Sequence, residues 1–202
     1  MGKVVAAATM SLDGYIATAD NGIGHLFDWY DVGPVTVPTV TPGLTFHLTE
    51  TSAGYWQRWT SQLGALVCGR VLFDVTDGWN GRHTMDVPVV VVTHRRPDDW
   101  IAAHPDAPFT FVTDGIRAAV EQAQALAGDR IVAVAAGTVA TQCLDLGLLD
   151  EVAVDLVPVV LGGGRPFFGE LRHRDVLLGD PTTCIRAERV THLVFPVTQP
   201  PR

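Results

Sequence analysis

This chain predicts a three-layer α/β fold with a mixed, mostly parallel central sheet, helices on both faces and an antiparallel hairpin at the C-terminal end. Three features carry that prediction. Short runs of small and β-branched residues recur at Val4 to Met10, Ala65 to Cys68, Pro88 to Val92, Phe109 to Val112 and Ile131 to Val134, as strands buried on both faces require. Helix-period segments stand between them, which is the alternation that builds parallel sheets. The last two extended runs, Thr183 to Val190 and His192 to Val197, have no helix between them and read as a hairpin joined at Thr191.

Composition sets the outer limits. A chain of 202 residues, 47% apolar and 18% charged, has enough apolar sequence for one core, and residues 1–198 are expected to form a single domain followed by a loose tail over 199–202. The net charge of −8 and the absence of a lysine or arginine run argue against a nucleic-acid or anionic-membrane surface. The three cysteines, Cys68, Cys143 and Cys184, are far apart and odd in number, which fits a reducing cytoplasm better than a disulfide framework. The apolar run at the N-terminus is too short to span a membrane and reads as the first strand.

Taken in order, Val4 to Met10 is followed by the turn Ser11-Leu12-Asp13-Gly14, which delivers Tyr15 to Ala17 as a second short extended piece. Asp20-Asn21-Gly22 is a further turn. Asp31 to Thr49 contains Pro34, Pro38 and Pro42, which forbid a helix, and it reads as a long irregular loop. Glu50 to Leu63 reads as a helix with Tyr55, Trp56, Trp59 and Leu63 on one side, mostly core, with one of the tryptophans available as the wall of a substrate pocket. Gly69-Arg70 opens a helical segment through Asp74, and Gly115 to Ala127 is an alanine-rich helix. After the strand Ile131 to Val134, the small residues Ala135, Ala136 and Gly137 lead into a helix from Thr138 to Leu146 that Gly147 stops. Val152 to Val157 then alternates as a strand up to Pro158, and Gly162 to Gly164 makes a tight turn.

Ligands of open α/β sheets bind beyond the carboxyl ends of strands, so Gly69-Arg70, Thr93 to Arg96 and Gly137 fall on one rim. Bare amides at a helix N-terminus there suit a phosphate, although small residues also serve close packing. A nucleotide-triphosphate loop is excluded, because GGGRPFF has no Gly-Lys-Ser/Thr ending, and no G-x-G-x-x-G occurs. Nor is there an H-E-x-x-H or a G-x-S-x-G, so metalloprotease and nucleophile-elbow chemistry lack their motifs.

The run from AAGT through LLDEVAVDLVPVVLGGGRPFFG, with MSLDGYIA near the N-terminus, resembles the reductase domain of the bifunctional riboflavin-biosynthesis enzyme and its stand-alone relatives, which share the dihydrofolate-reductase fold. The resemblance implies an NADPH cofactor passing Ala7 and Ile16, with Gly22, Ile23 and Gly24 in the segment that closes over the nicotinamide. It places cofactor phosphate at Gly69 and Arg70 and at Ala136, Gly137, Thr138, Val139 and Ala140. Relatives often carry a second glycine where Ala136 stands, so the pyrophosphate is expected to approach less closely here. At Thr93-His94-Arg95-Arg96 no acidic residue stands where one would bond a ribose 2′-hydroxyl, so Arg95 is the favoured ligand of a 2′-phosphate, with Thr93 offering a hydroxyl, His94 adjacent and Arg70 nearby. Asp13 matches the family's aspartate in the opening turn. It either takes part in proton delivery or braces that turn through its own backbone.

The implied reaction is hydride transfer to a small heterocyclic or carbonyl substrate, pterin-like or riboflavin-precursor-like, with Trp56 and Trp59 as candidate pocket walls. The alternative is a non-catalytic nucleotide-binding protein that keeps the fold. The resemblance also implies a homodimer, with the apolar Val152 to Leu161 region and its neighbours as the expected contact surface.

Overall fold

Val4, Val5 and Ala6 are all buried in the computed structural model, which describes residues 2–172 and 175–198. They sit in β1 (Val4–Ser11), which has a strand on each side and a helical layer over each face. The chain continues through β2 (Tyr15–Ala17), β3 (Val35–Pro38), β4 (Thr45–Leu48), α1 (Glu50–Gln62), β5 (Leu63–Gly69), α2 (Arg70–Val75) and β6 (Val89–Val92). There follow α3 (Asp98–Ala103), β7 (Phe109–Val112), α4 (Ile116–Ala127), β8 (Ile131–Ala135), α5 (Thr138–Asp145) and β9 (Glu151–Val157). The last elements are β10 (Arg165–Pro166), β11 (Thr183–Ala187) and β12 (Val190–Pro196). Eight of the strands form one sheet in the order β11-β12-β9-β1-β8-β5-β6-β7. The pairings from β9 to β7 are all parallel, whereas β12 runs antiparallel to both β9 and β11.

Period-2 alternation divides β1 between two cores. Val4 and Ala6 join Val132, Val134, Val152 and Val154 under α4 and α5, where Ile116, Ala119, Val120, Ala123 and Ala127 make the buried stripe of α4. Val5 and Ala7 face the other way, with Ala153, Val194 and Trp59 of α1. α5 ends as the sequence predicts. Gly147 takes φ +64, its N–H donates to Leu144 and that of Leu148 to Cys143, which satisfies the last carbonyls of the helix. No helix among the described residues is long and apolar enough to cross a membrane.

The structure corrects three expectations. Residues 31–49 are not irregular: β3 and β4 pair antiparallel, with Phe46 and Leu48 buried while Thr45 and His47 point outward. Each strand carries only four residues of alternation, and the surrounding prolines hide it. The C-terminal hairpin turns at Glu188-Arg189, where Arg189 takes φ +59, and Thr191 lies inside β12 opposite Arg186. No glycine or asparagine announced that turn. The β9 part of the expected contact surface over Val152 to Leu161 is internal, because β9 lies between β1 and β12 and buries Val152, Ala153, Val154 and Val157, whereas Val160 beyond it stands 70% exposed. The expected tail over 199–202 and His173 lie outside the described residues.

Two elements had no sequence signal. One is α3. The other is a left-handed turn over Asp77, Gly78, Trp79 and Asn80, with φ between +48 and +54. Its non-glycine residues cost roughly 1–2 kcal/mol each. Packing of Trp79 against His83 and of Trp100 against Phe73 offsets that cost.

Candidate functional site

Because β1, β8, β5 and β6 are parallel, their carboxyl ends open on one rim. Three close approaches draw the candidate residues together there. Ala7 is paired with Ala135 at the end of β8. Gly137 takes φ +93 ahead of α5, and a Cβ on it would lie 3.8 Å from Cδ1 of Ile16. A Cβ on Gly69 would lie 3.0 Å from Cγ2 of Val139, so the turns after β5 and β8 come close, and a side chain at Gly69 would require Val139 to shift. Ala136 is half-buried against the core under α5.

The N-terminus of α5 has no side-chain cap, and the amides of Thr138, Val139 and Ala140 have no partner among the described residues. The N–H of Gly137 is not available, since it donates to the Phe167 carbonyl at 2.7 Å. Such a turn presents several donors and the positive end of a helix to an anion. α2 starts beside it at Gly69, also without a side-chain cap. Arg70 spans the gap to the next strand end. Its Nη1 donates to the Arg95 carbonyl at 3.0 Å, while its Nε bonds Asp74 at 2.6 Å.

The structure reassigns Thr93. Its hydroxyl donates to the Arg95 carbonyl at 2.8 Å and the side chain is buried, so it shapes the turn rather than offering a free hydroxyl. That turn holds His94 and Arg95 exposed. Arg96 lies 3.6 Å from Asp98, whereas Arg95 has no ionic partner among the described residues, which leaves its guanidinium free for a phosphate.

At the other end of the rim, Asp13 is fully engaged. Ser11 Oγ donates to it at 2.6 Å, and the backbone N–H groups of Leu161 at 3.1 Å and Gly162 at 2.7 Å donate as well. The Ser11 hydroxyl first, opposed next by desolvation and then helped by the two amides, holds its carboxyl below the usual carboxylate range. Asp13 therefore ties the opening turn to the loop after β9, a longer-range brace than one through its own backbone. Gly22 accepts from the Thr18 N–H at 2.9 Å, and Ile23 stands 53% exposed beside it. Asn21, in the same turn, accepts from Nε of Arg165 at 2.9 Å, which fastens this segment to β10.

The two tryptophans part company. Trp56 packs edge-on against Tyr30 and Phe46 in the core beneath the β3–β4 hairpin. Trp59 lies on the sheet, half-buried against Val5, Ala153 and Val194, the cluster that Ala7 and Ile131 also flank. Burial pushes the thiols of Cys68 and Cys143 up to about 12, so neither is a nucleophile at neutral pH.

Sequence reasoning missed one cluster. His192 of β12 is completely buried, with Nδ1 on Oδ1 of Asp155 at 2.6 Å and Nε2 on Oγ of Ser52 at 3.0 Å. Tyr55 stacks on the imidazole at 4.2 Å and Trp29 meets it edge-on at 5.3 Å. Ser52 is 1% exposed, so the serine cannot attack a ligand. The available signal was Asp155 itself, an acidic residue on the same face of β9 as the buried Ala153 and Val157.

The RibD C-terminal domain family matches residues 2–191. This chain belongs to that family. Among solved structures, the RibD C-terminal chain is similar to a protein assigned to riboflavin biosynthesis from Shewanella sp. PV-4, with a TM-score of 0.69 and 20% identity over 98% of this chain and 100% of that one. It is also similar to RibD from Acinetobacter baumannii, with a TM-score of 0.64 and 15% identity, and it spans 58% of that chain's length. Dihydrofolate reductase from Enterococcus faecalis, solved with NADP(H), follows at a TM-score of 0.53 and 13% identity, covering 98% of both chains. No curated protein matches the chain. The family supports a reductase-type function, and these likenesses establish the dihydrofolate-reductase-like fold of this RibD C-terminal domain.

Proposed function

We propose that this chain is an NADPH-dependent reductase that delivers a hydride to a small heterocyclic or carbonyl substrate, pterin-like or riboflavin-precursor-like. The observation that carries the reading is the convergence on one rim of the open amides of α5, the Gly69-Arg70 turn and Arg95, which has no ionic partner among the described residues. Phosphate groups need such donors, and an adenosine 2′-phosphate needs a cation beyond them. The bound cofactor supplies the hydride. The protein supplies its orientation: Thr138 to Ala140 hold pyrophosphate, Arg95 holds the 2′-phosphate, and Ala7 with Ile16 leaves a shallow apolar floor for the nicotinamide. Gly137 shapes the turn and gives no donor, and Ala136 keeps the pyrophosphate at the distance its methyl allows.

The test is loss of NADPH absorbance with a panel of pterins, quinones and aldehydes, beside a titration of NADPH alone. The expected result is micromolar-range binding and oxidation with at least one ring or carbonyl substrate. Tight NADPH binding without oxidation across a broad panel would instead favour a nucleotide-binding protein that keeps the fold without turnover.

A further inference from the structure

Both asparagines of the chain, Asn21 and Asn80, stand directly before a glycine, and both hold left-handed backbone, with φ +67 and +52. A glycine leaves its own nitrogen uncrowded, so such a pair can close on itself, the nitrogen attacking the asparagine side-chain carbon. What surrounds each pair decides which one reacts.

At Asn21 the turn is closed at its ends and loose at its tip. The Asn21 N–H donates to the Thr18 carbonyl at 3.0 Å, and the Thr18 N–H donates to the Gly22 carbonyl at 2.9 Å. The peptide unit between Asn21 and Gly22 makes no backbone hydrogen bond among the described residues, so it can rotate while both of those bonds persist.

Charged groups flank the two atoms that must join. Nε of Arg165 donates to Oδ1 of Asn21 at 2.9 Å, which draws electrons from the side-chain carbon and faces the oxygen on which negative charge would develop. Asp20 stands at the nitrogen: a Cβ on Gly22 would lie 3.5 Å from its Oδ1, and the Gly22 N–H bears on the same carboxylate. The Thr18 hydroxyl above all holds Asp20 below the usual carboxylate range, so it is an anion at neutral pH. Asn80 has neither group. It is exposed in the left-handed run ahead of β6, with no cation or carboxylate bonded to its side chain among the described residues, and a Cβ on Gly81 would stand 3.1 Å from Cδ2 of His104.

We propose that Asn21 is a self-modifying site, activated by Arg165 and Asp20, at which the side-chain amide is converted to an acid. The Gly22 nitrogen bonds to Cγ of Asn21 and passes its proton to Asp20, while the oxyanion forms against Arg165. The side-chain nitrogen leaves as ammonia, taking that proton with it. Water then opens the resulting succinimide at either carbonyl and leaves aspartate or isoaspartate at position 21. Aspartate keeps an oxygen for Arg165, whereas isoaspartate routes the backbone through the former side-chain carbon, lengthens the turn and unfastens this segment from β10.

The experiment is peptide mapping by mass spectrometry of the whole chain aged at neutral pH, folded and in denaturant, scoring aspartate and isoaspartate at both asparagines. In the folded chain Asn21 is expected to convert at least about tenfold faster than Asn80, and in denaturant the two rates should draw level. Arg165→Gln and Asp20→Ser, each checked by its melting temperature, should slow Asn21 roughly tenfold and leave Asn80 alone. Asn21 converting no faster than Asn80 in the folded chain overturns the proposal, as does an unchanged Asn21 rate in either folded variant. If neither variant folds, the parent still decides, because the same ratio of rates in the folded and denatured chain also overturns it. The place of this segment over the nicotinamide rests on the reductase reading, under which NADPH should bind the aged chain more weakly than the fresh one. Equal NADPH binding with isoaspartate present at position 21 would refute that placement and leave the modification standing.

Discussion

Gly164→Ala is expected to lose about 3 kcal/mol of stability, combining strain in a sparsely populated backbone region with a forced contact. Gly164 takes φ +144, and a Cβ there would stand 2.1 Å from the Ala17 carbonyl oxygen. The obstacle is backbone, so a rotamer change cannot relieve it, and β10 must part from β2. That pair carries Ile16 onto Gly137, and its loss removes the floor of the nicotinamide end as well. The melting temperature should fall by roughly 6–12 °C for a chain of this size, with weaker NADPH binding in the folded fraction. A melting temperature equal to the parent's would show that β10 and β2 are not held at this spacing.

Arg95→Ala is expected to weaken NADPH about tenfold or more while leaving NADH almost unchanged, since one charge-assisted contact contributes roughly 1.5–3 kcal/mol. Arg96→Ala should do much less, because Arg96 is already drawn to Asp98 at 3.6 Å and Arg95 is not. Calorimetric titration of both variants with both cofactors reads the difference. An unchanged preference in Arg95→Ala would place the 2′-phosphate elsewhere.

The parts of the fold that could be read from the chain are those in which one short segment states its own surroundings. Val4 to Met10 and Ile131 to Val134 are small and β-branched throughout, and only strands covered on both faces are built that way. Gly147 marks its helix end because a left-handed C-cap needs it. Alternation was just as present in β3 and β4, but four residues per strand between prolines gave a pattern too short to separate from a loop. At the candidate site, the rim followed from strand ends and glycines, and the structure draws Ala7, Ile16, Gly69, Gly137 and Val139 together. The cluster of Ser52, Asp155 and His192 could not be read in the same way. Its bonds join residues 140 and 37 positions apart, on three elements that meet only once the sheet has formed. Asp13 shows the opposite limit: its position in the opening turn was evident, but the Leu161 and Gly162 amides that occupy it come from 148 and 149 residues away.

The central claim, that the rim at the ends of β1, β8, β5 and β6 holds NADPH, is tested most directly by mapping amide shifts in a ¹⁵N-labelled chain titrated with the cofactor. Thr138, Val139 and Ala140 should move furthest, joined by Gly69, Arg70, Arg95 and Ile16, and the same set should saturate at one affinity. Shifts confined instead to the cleft lined by Asn80, Arg82, His104 and Pro108, ahead of the start of β7, would contradict it.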